Sequence, residues 1–255
     1  MSADANEREG HSAIILVVLL IAVGVYGLLY GLQTLVDFEA HQWSGRDPGL
    51  SITPQTLAMN TAPATQTTHL EFFNYQCEAP WKGPAKSVSD ADYTDSTFSS
   101  GATVRVYPPE AQADVLQTFK GEDLAQQQHI AAVFGPQPFV SNYDFYDAVY
   151  SASPAQASPF MPRVESERVD TLLLWKMAFD TELPGGVFRF ESDRIRGLQF
   201  GDPARTQSVI LRAFNERDRQ FKIQVTMAAN SAAKLTQNDI NQIITTLKPV
   251  PLPGE

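Results

Sequence analysis

The sequence predicts an α+β protein: an N-terminal single transmembrane helix, a flexible tether, then a two-layer sandwich of a mostly antiparallel sheet with helices packed on it. Three observations predict this. Residues 12–36 carry no charged side chain. From residue 187 apolar and polar residues alternate at period two, as in half-buried strands, and then give way to one amphipathic helical stretch. Between 109 and 179 the apolar residues recur at helical spacing, interrupted by Gly and Pro. The chain divides into an N-terminal tail (1–11), an anchor (12–36), a tether (37–67), an α+β domain (68–249) and a C-terminal tail (250–255).

The anchor reads AIILVVLLIAVGVYGLLYGL from Ala13 to Leu32, which at the helical rise covers about 30 Å, the thickness of a bilayer's hydrocarbon core. A buried core helix would show a polar face, yet the nearest charges are Glu9 and Asp37. A cleavable signal peptide fits poorly: the apolar run is too long, Arg8 is the only basic residue before it, and no small-x-small site follows Leu35. The expectation is a single-pass signal anchor contacting membrane lipid through residues 13–36. Basic residues barely set its orientation, with Arg8 on one side and Arg46 on the other. The Lys-free tether, rich in Ser, Thr, Gln and Pro, places the C-terminal domain on the extracytoplasmic side. Gly24, Gly27 and Gly31 share a helical face, and Gly27 with Gly31 has the small-xxx-small spacing that lets two spans associate.

Charge is uneven along the domain. Residues 70–160 carry four Lys or Arg against eleven Asp or Glu, and residues 161–255 carry thirteen against twelve. That balance disfavours binding to a phosphate backbone, so nucleic acid is not an expected partner. Cys77 is the only cysteine; no intramolecular disulfide can form, and a buried apolar role is expected for it.

Taken in order, residues 42–67 have few large apolar side chains and no periodicity, which reads as tether. Leu70, Phe72 and Phe73 suggest a strand that runs into a loop at Pro80 and Trp81. Residues 82–101 read as polar and turn-rich, and 102–107 as a short strand with Val104 and Val106 on one face. Pro108 and Pro109 lead into a helix over 110–119. A second helix carries Leu124, Ile130, Val133 and Phe134 until Gly135 and Pro136 stop it. Ser141 and Asp144 have capping-box spacing and start a third at Asn142, rich in aromatics: Tyr143, Phe145, Tyr146 and Tyr150. A fourth, over 165–179, places Val169, Leu172, Leu173 and Lys176 on one side.

Strands follow over 187–191, 194–200, 208–215 and 220–228, with 216–219 as the last hairpin turn. In the final strand Phe221, Ile223, Val225 and Met227 alternate with Lys222, Gln224 and Thr226. Thr236 and Asp239 cap the closing helix, whose stripe is Ile240, Ile243, Ile244 and Leu247 and which Pro249 ends. Helices on one face of the sheet complete the expected sandwich. In its order of elements, a meander followed by INQIITTLKPV, the region 187–250 resembles the Mog1/PsbP-like fold. The helical insertion over 109–179 departs from that pattern. The resemblance implies a non-catalytic accessory or assembly role.

No G-x-S-x-G, H-E-x-x-H, Walker loop, strand-borne G-x-G-x-x-G or paired C-x-x-C occurs. Neither a catalytic set, a metal site nor a cofactor is expected. The acidic run with Asp90, Asp92 and Asp95 is spaced like the opening of a calcium loop, but lacks the central Gly and the closing Glu. Cys77 with His129 could be written as a thiol hydrolase, the alternative to a binding role. Two stretches stand out as candidate partner surfaces: the basic turn with Arg194, Arg196 and Arg205, and the aromatic segment with Tyr143, Tyr146 and Tyr150. The sequence thus points to a membrane-anchored binding or assembly module whose partner is a membrane protein or a second copy of itself.

Overall fold

Strand alternation decides how the layers form. The computed structural model describes residues 48–59, 61–62, 64–109, 114–158, 161–179 and 185–250. The expected anchor, with Gly24, Gly27 and Gly31, lies outside them; among the described residues no helix is long and apolar enough to cross a membrane.

The strands are β1 (Gln55–Thr56), β2 (Thr68–Phe72), β3 (Tyr75–Ala79), β4 (Pro84–Ser89), β5 (Thr94–Phe98) and β6 (Ala102–Tyr107). Four helices follow: α1 (Val115–Gly121), α2 (Leu124–Phe134), α3 (Asn142–Ser151) and α4 (Arg163–Phe179). The meander β7 (Val187–Glu191), β8 (Ile195–Phe200), β9 (Ser208–Asn215) and β10 (Gln220–Met227) leads to α5 (Gln237–Thr246) and β11 (Lys248–Pro249). One sheet has the order β1-β7-β8-β9-β10-β6-β5-β4, and a smaller one the order β11-β3-β2. All pairings are antiparallel except β1 with β7. The mixed α+β architecture, a large sheet with helices on it, is as the sequence predicts.

The layering differs from the expected two. In β9, Val209, Leu211 and Ala213 join one core with the Ile stripe of α5 and with Leu70, Phe72 and Cys77 of the small sheet. Ile210 and Phe214, pointing the other way, join Val115 of α1, Phe145 and Tyr146 of α3 and Trp175 of α4. Helices therefore cover both faces, and β9, buried from Val209 to Phe214, is the central wall between two cores.

The single strand expected from Leu70, Phe72 and Phe73 up to a loop at Pro80 and Trp81 is in fact a hairpin. Phe73 and Asn74 have φ of 44° and 65°, the left-handed pair of a two-residue turn that reverses the chain from β2 into β3. The stretch 82–101, expected as turns, forms the β4–β5 hairpin and extends the sheet to its edge.

The described part of the expected tether docks on the domain. Leu50, in a 3-10 turn (Pro48–Ser51), is fully buried beside Ala152 and Leu173. Nζ of Lys176, itself 1% exposed, shares its three N–H donors among four backbone carbonyls: Leu50 at 3.0 Å, Ile52 at 2.6 Å, Tyr150 at 3.1 Å and Ala152 at 2.8 Å. β1 then adds to the edge of β7, Leu57 N–H donates to the Arg189 carbonyl at 2.8 Å, and Asn241 Nδ2 donates to the Ala58 carbonyl at 3.0 Å. Buried backbone polar groups must find partners, and here the domain supplies them.

Candidate functional site

The site is built where the β9–β10 hairpin meets the starts of two helices. Asn215 Oδ1 accepts from Arg217 N–H at 2.9 Å and Arg219 N–H at 3.0 Å, an Asx-type closure of the turn. This sets Asp218 at φ 58° and aims its carboxylate at α3. There it accepts from the Asn142 N–H, from Asn142 Nδ2 at 2.9 Å and from the Tyr143 N–H at 3.3 Å. A carboxylate at a helix N-terminus satisfies donors that have no intrahelical partner.

Asn142 is buried and faces the other way as well. Its Oδ1 accepts from Val115 N–H at 2.9 Å and Leu116 N–H at 3.3 Å, the first turn of α1. Asp114 caps that turn, accepting from Gln117 N–H at 3.0 Å and from Asn142 Nδ2 at 3.2 Å. Both acids are therefore engaged internally. The exposed cations of the same region, Lys120, Arg217 and Arg219, line a groove of about 410 Å³ along one side of α1, together with Leu116 and Gln117.

On the other side of α1 lies a second groove, of about 580 Å³, lined by Phe119, Ile130, Pro136, Phe139 and Val140. Leu116 and Lys120 belong to both. Val140 is 78% exposed. Beneath it, Phe119, Phe139, Phe145 and Trp175 make a ring cluster with centroids 5.1–6.4 Å apart, the spacing of favourable aromatic contacts. A basic half and an apolar half thus flank a single short helix.

The sequence-predicted partner surface is dispersed. Arg194 is exposed at the β7–β8 turn, whereas Arg205, 3.5 Å from Asp202, sits in the β8–β9 loop at the other end of β8. Arg196 points to α3: its guanidinium lies 4.5 Å over the Tyr143 ring, donates to Ser141 Oγ at 2.9 Å and is 3.8 Å from Asp144. Tyr146 and Tyr150, 2% and 1% exposed, are core residues, packed on Phe214 and Phe200. Of that aromatic segment only Tyr143 is partly open to solvent. Its phenol is pushed up, by desolvation first and by nearby Asp147 second.

Cys77 is buried as expected, and burial, with Glu78 adding to it, raises its thiol pKa to about 12. It lies in the α5-side core, while His129 lies on α2 in the opposite layer, exposed and 3.8 Å from Glu167. The sheet separates them, and no Cys–His dyad forms. The acidic run is a hairpin, not an ion-binding loop: Asp95 in β5 takes both Nε and a terminal nitrogen of Arg105 at 2.7 Å, and Asp90 Oδ1 accepts from Ala91 N–H.

Lys120, Arg217 and Arg219 are absent from the sequence-predicted surface because they are remote in sequence and meet only through Asn142 and Asp218. The one available signal was the charged turn itself, ERDR. No family model, curated protein or solved structure matches this chain.

Proposed function

We propose that this chain is a membrane-anchored, non-catalytic binding module that holds an extended, acidic and apolar segment of a membrane-protein partner in the grooves beside α1. One observation carries the reading: a groove lined by three exposed cations shares Leu116 and Lys120 with an adjoining apolar groove, while the carboxylates of the basic one, Asp114 and Asp218, are taken up by backbone and Asn142 donors. A partner segment with acidic side chains next to large apolar ones matches both halves. Charge complementarity steers and orients such a segment, and the apolar half supplies the affinity. The uncharged run at 12–36 supports the membrane context, and the meander-plus-helix order supports an accessory role by resemblance. In this reading the domain works on the extracytoplasmic side.

The test is photo-crosslinking in native membranes with a benzophenone amino acid in place of Val140. The expected result is an adduct with one defined membrane protein that disappears when Lys120, Arg217 and Arg219 are changed together to Glu. Adducts that survive the charge reversal, or none at all in native membranes, overturn the proposal.

A further inference from the structure

We infer that two copies of this chain pair edge to edge through β2, joining their small sheets into one across a two-fold axis at Leu70. β2 packs on the α5 side of the large sheet, whereas the grooves beside α1 lie on its other side, so this contact is separate from the binding proposed above.

Among the described residues, β1 and β4 end the large sheet, and β11 and β2 end the small one. β1 and β11 are two residues each, and β11 contains Pro249. β4 starts at Pro84, has a register shift between Pro84 and Lys86, and exposes Lys86. Short length, proline, bulges and lysine are the devices that keep a strand edge from pairing. β2 carries none of them: it is five residues long, THLEF, in unbroken register on β3.

That register shows which backbone groups of β2 point outward. Phe72 pairs with Tyr75 across the two-residue turn, so Phe72, Leu70 and Thr68 exchange hydrogen bonds with β3, and His69 and Glu71 face away from it. The opposite strand agrees, since Glu78, paired with His69, turns its N–H away from β2 and donates to Thr246 Oγ1 at 2.9 Å. Among the described residues nothing takes up the outward N–H and C=O groups of His69 and Glu71. Both side chains are exposed.

The order of these side chains selects a second copy as the occupant. An antiparallel β2 must set outward-facing residues opposite one another. Slipped registers place His69 against His69, or Glu71 against Glu71, and like charges directly opposite are destabilising. The register centred on Leu70 places each His69 opposite Glu71 of the other copy, and each of these pairs exchanges both of its backbone hydrogen bonds. His69 Nδ1 is already 3.0 Å from Glu78 Oε1. Across the joint the imidazole lies between two carboxylates, its own Glu78 and Glu71 of the second copy, which the charged ring satisfies with both N–H donors. Contact through one strand is small and makes a reversible dimer, so its test must read exchange between copies.

The experiment uses the full chain with Ser87→Cys, an exposed position on β4, labelled with a donor or an acceptor dye; Cys77, 2% exposed, stays unlabelled. Labelled copies are mixed in detergent, with micelles in large excess over chains. Otherwise unaltered chains are expected to show energy transfer that unlabelled chain competes away. His69→Glu opposes carboxylates on both sides of the axis, and Glu71→Lys removes both acceptors that face His69, so each variant alone should lose transfer several-fold. Mixed with each other the two should regain it, because the introduced carboxylate then faces the introduced ammonium while the second pair stays as it was. Glu71→Pro removes an outward N–H that pairing with β3 does not use and should abolish transfer by itself. Unchanged urea midpoints establish that the variants fold. No transfer between unaltered chains, transfer that His69→Glu and Glu71→Pro leave in place, or a mixture no better than either folded variant alone overturns the inference.

Discussion

Single residues set hard limits in this domain, and Gly197 sets one of the hardest. It lies in the middle of β8, where a Cβ would sit 2.1 Å from the Arg212 carbonyl oxygen and 2.5 Å from the Phe190 ring. Backbone cannot yield as a flexible side chain can, so Gly197→Ala should destabilise the fold by at least the ~1–3 kcal/mol typical of overpacking, read as a lower urea midpoint. Cys77 gives a pH dependence whose sign is fixed. Its thiol pKa rises from 9.0 to about 12 in the folded state, so the neutral form is favoured by folding. That contribution is fully present below pH 9 and is lost as pH rises from 9 towards 12, by up to about 1.4 kcal/mol per pH unit. Cys77→Ala should flatten the alkaline limb of stability against pH, and the native thiol should stay unreactive towards thiol reagents until the protein unfolds. Lys176 was legible by position, on a mostly apolar helix face, but not by role. Helical spacing says which way a side chain points and nothing about the four carbonyls that come from two other segments to meet it.

At the scale of elements, the clearest strands and helices in the sequence are those whose burial differs between faces. β10 alternates cleanly because only one of its faces is core, and α5 shows its stripe for the same reason. The β2–β3 hairpin was hidden because its turn is Phe73–Asn74 and not the Asn-Gly or Asp-Gly pair that normally takes two positive φ angles. The β4–β5 hairpin was hidden because its strands are mostly Ser, Thr and Asp: β4 is the solvent-facing edge, and the inward positions of β5 are Ser96 and Phe98, of which only one is apolar. The candidate site was least legible of all, since Asn142 and Asp218 are 76 residues apart and only the register of β9 on β10 brings the turn to α3. That joint yields its own prediction. Asp218→Ala removes the carboxylate that caps α3 and leaves buried Asn142 short of an acceptor, so stability should fall by about 1–2 kcal/mol, the usual size of a lost cap. Amide exchange should quicken first at Asn142 and Tyr143, and a uniform rise across the domain would show that the joint is not local.

For the whole molecule, the deepest change to the sequence reading is where the domain begins. Composition put that boundary at residue 68, because 42–67 has few large apolar side chains and no periodicity. Yet this segment contributes a fully buried side chain, Leu50, partly buried Ile52, Leu57 and Met59 packed on the two cores, an added strand on β7 and backbone carbonyls that Lys176 and Asn241 take up. A stretch can be integral to a fold through its backbone while its side chains look like a linker. Two chains, one starting at Pro48 and one at Thr68, separate these views. The shorter chain leaves the β7 edge bare and the Lys176 amine buried without Leu50 and Ile52, and an unmet buried polar group alone costs about 1–3 kcal/mol. It should unfold at clearly lower urea and associate through the open edge, the fate of an uncovered flat strand. Lys176→Met in the longer chain should lose a similar amount and expose 48–62 to protease, because the grip on that segment is gone. If instead the two chains unfold together and Lys176→Met leaves the segment protected, then 48–62 is a tether after all.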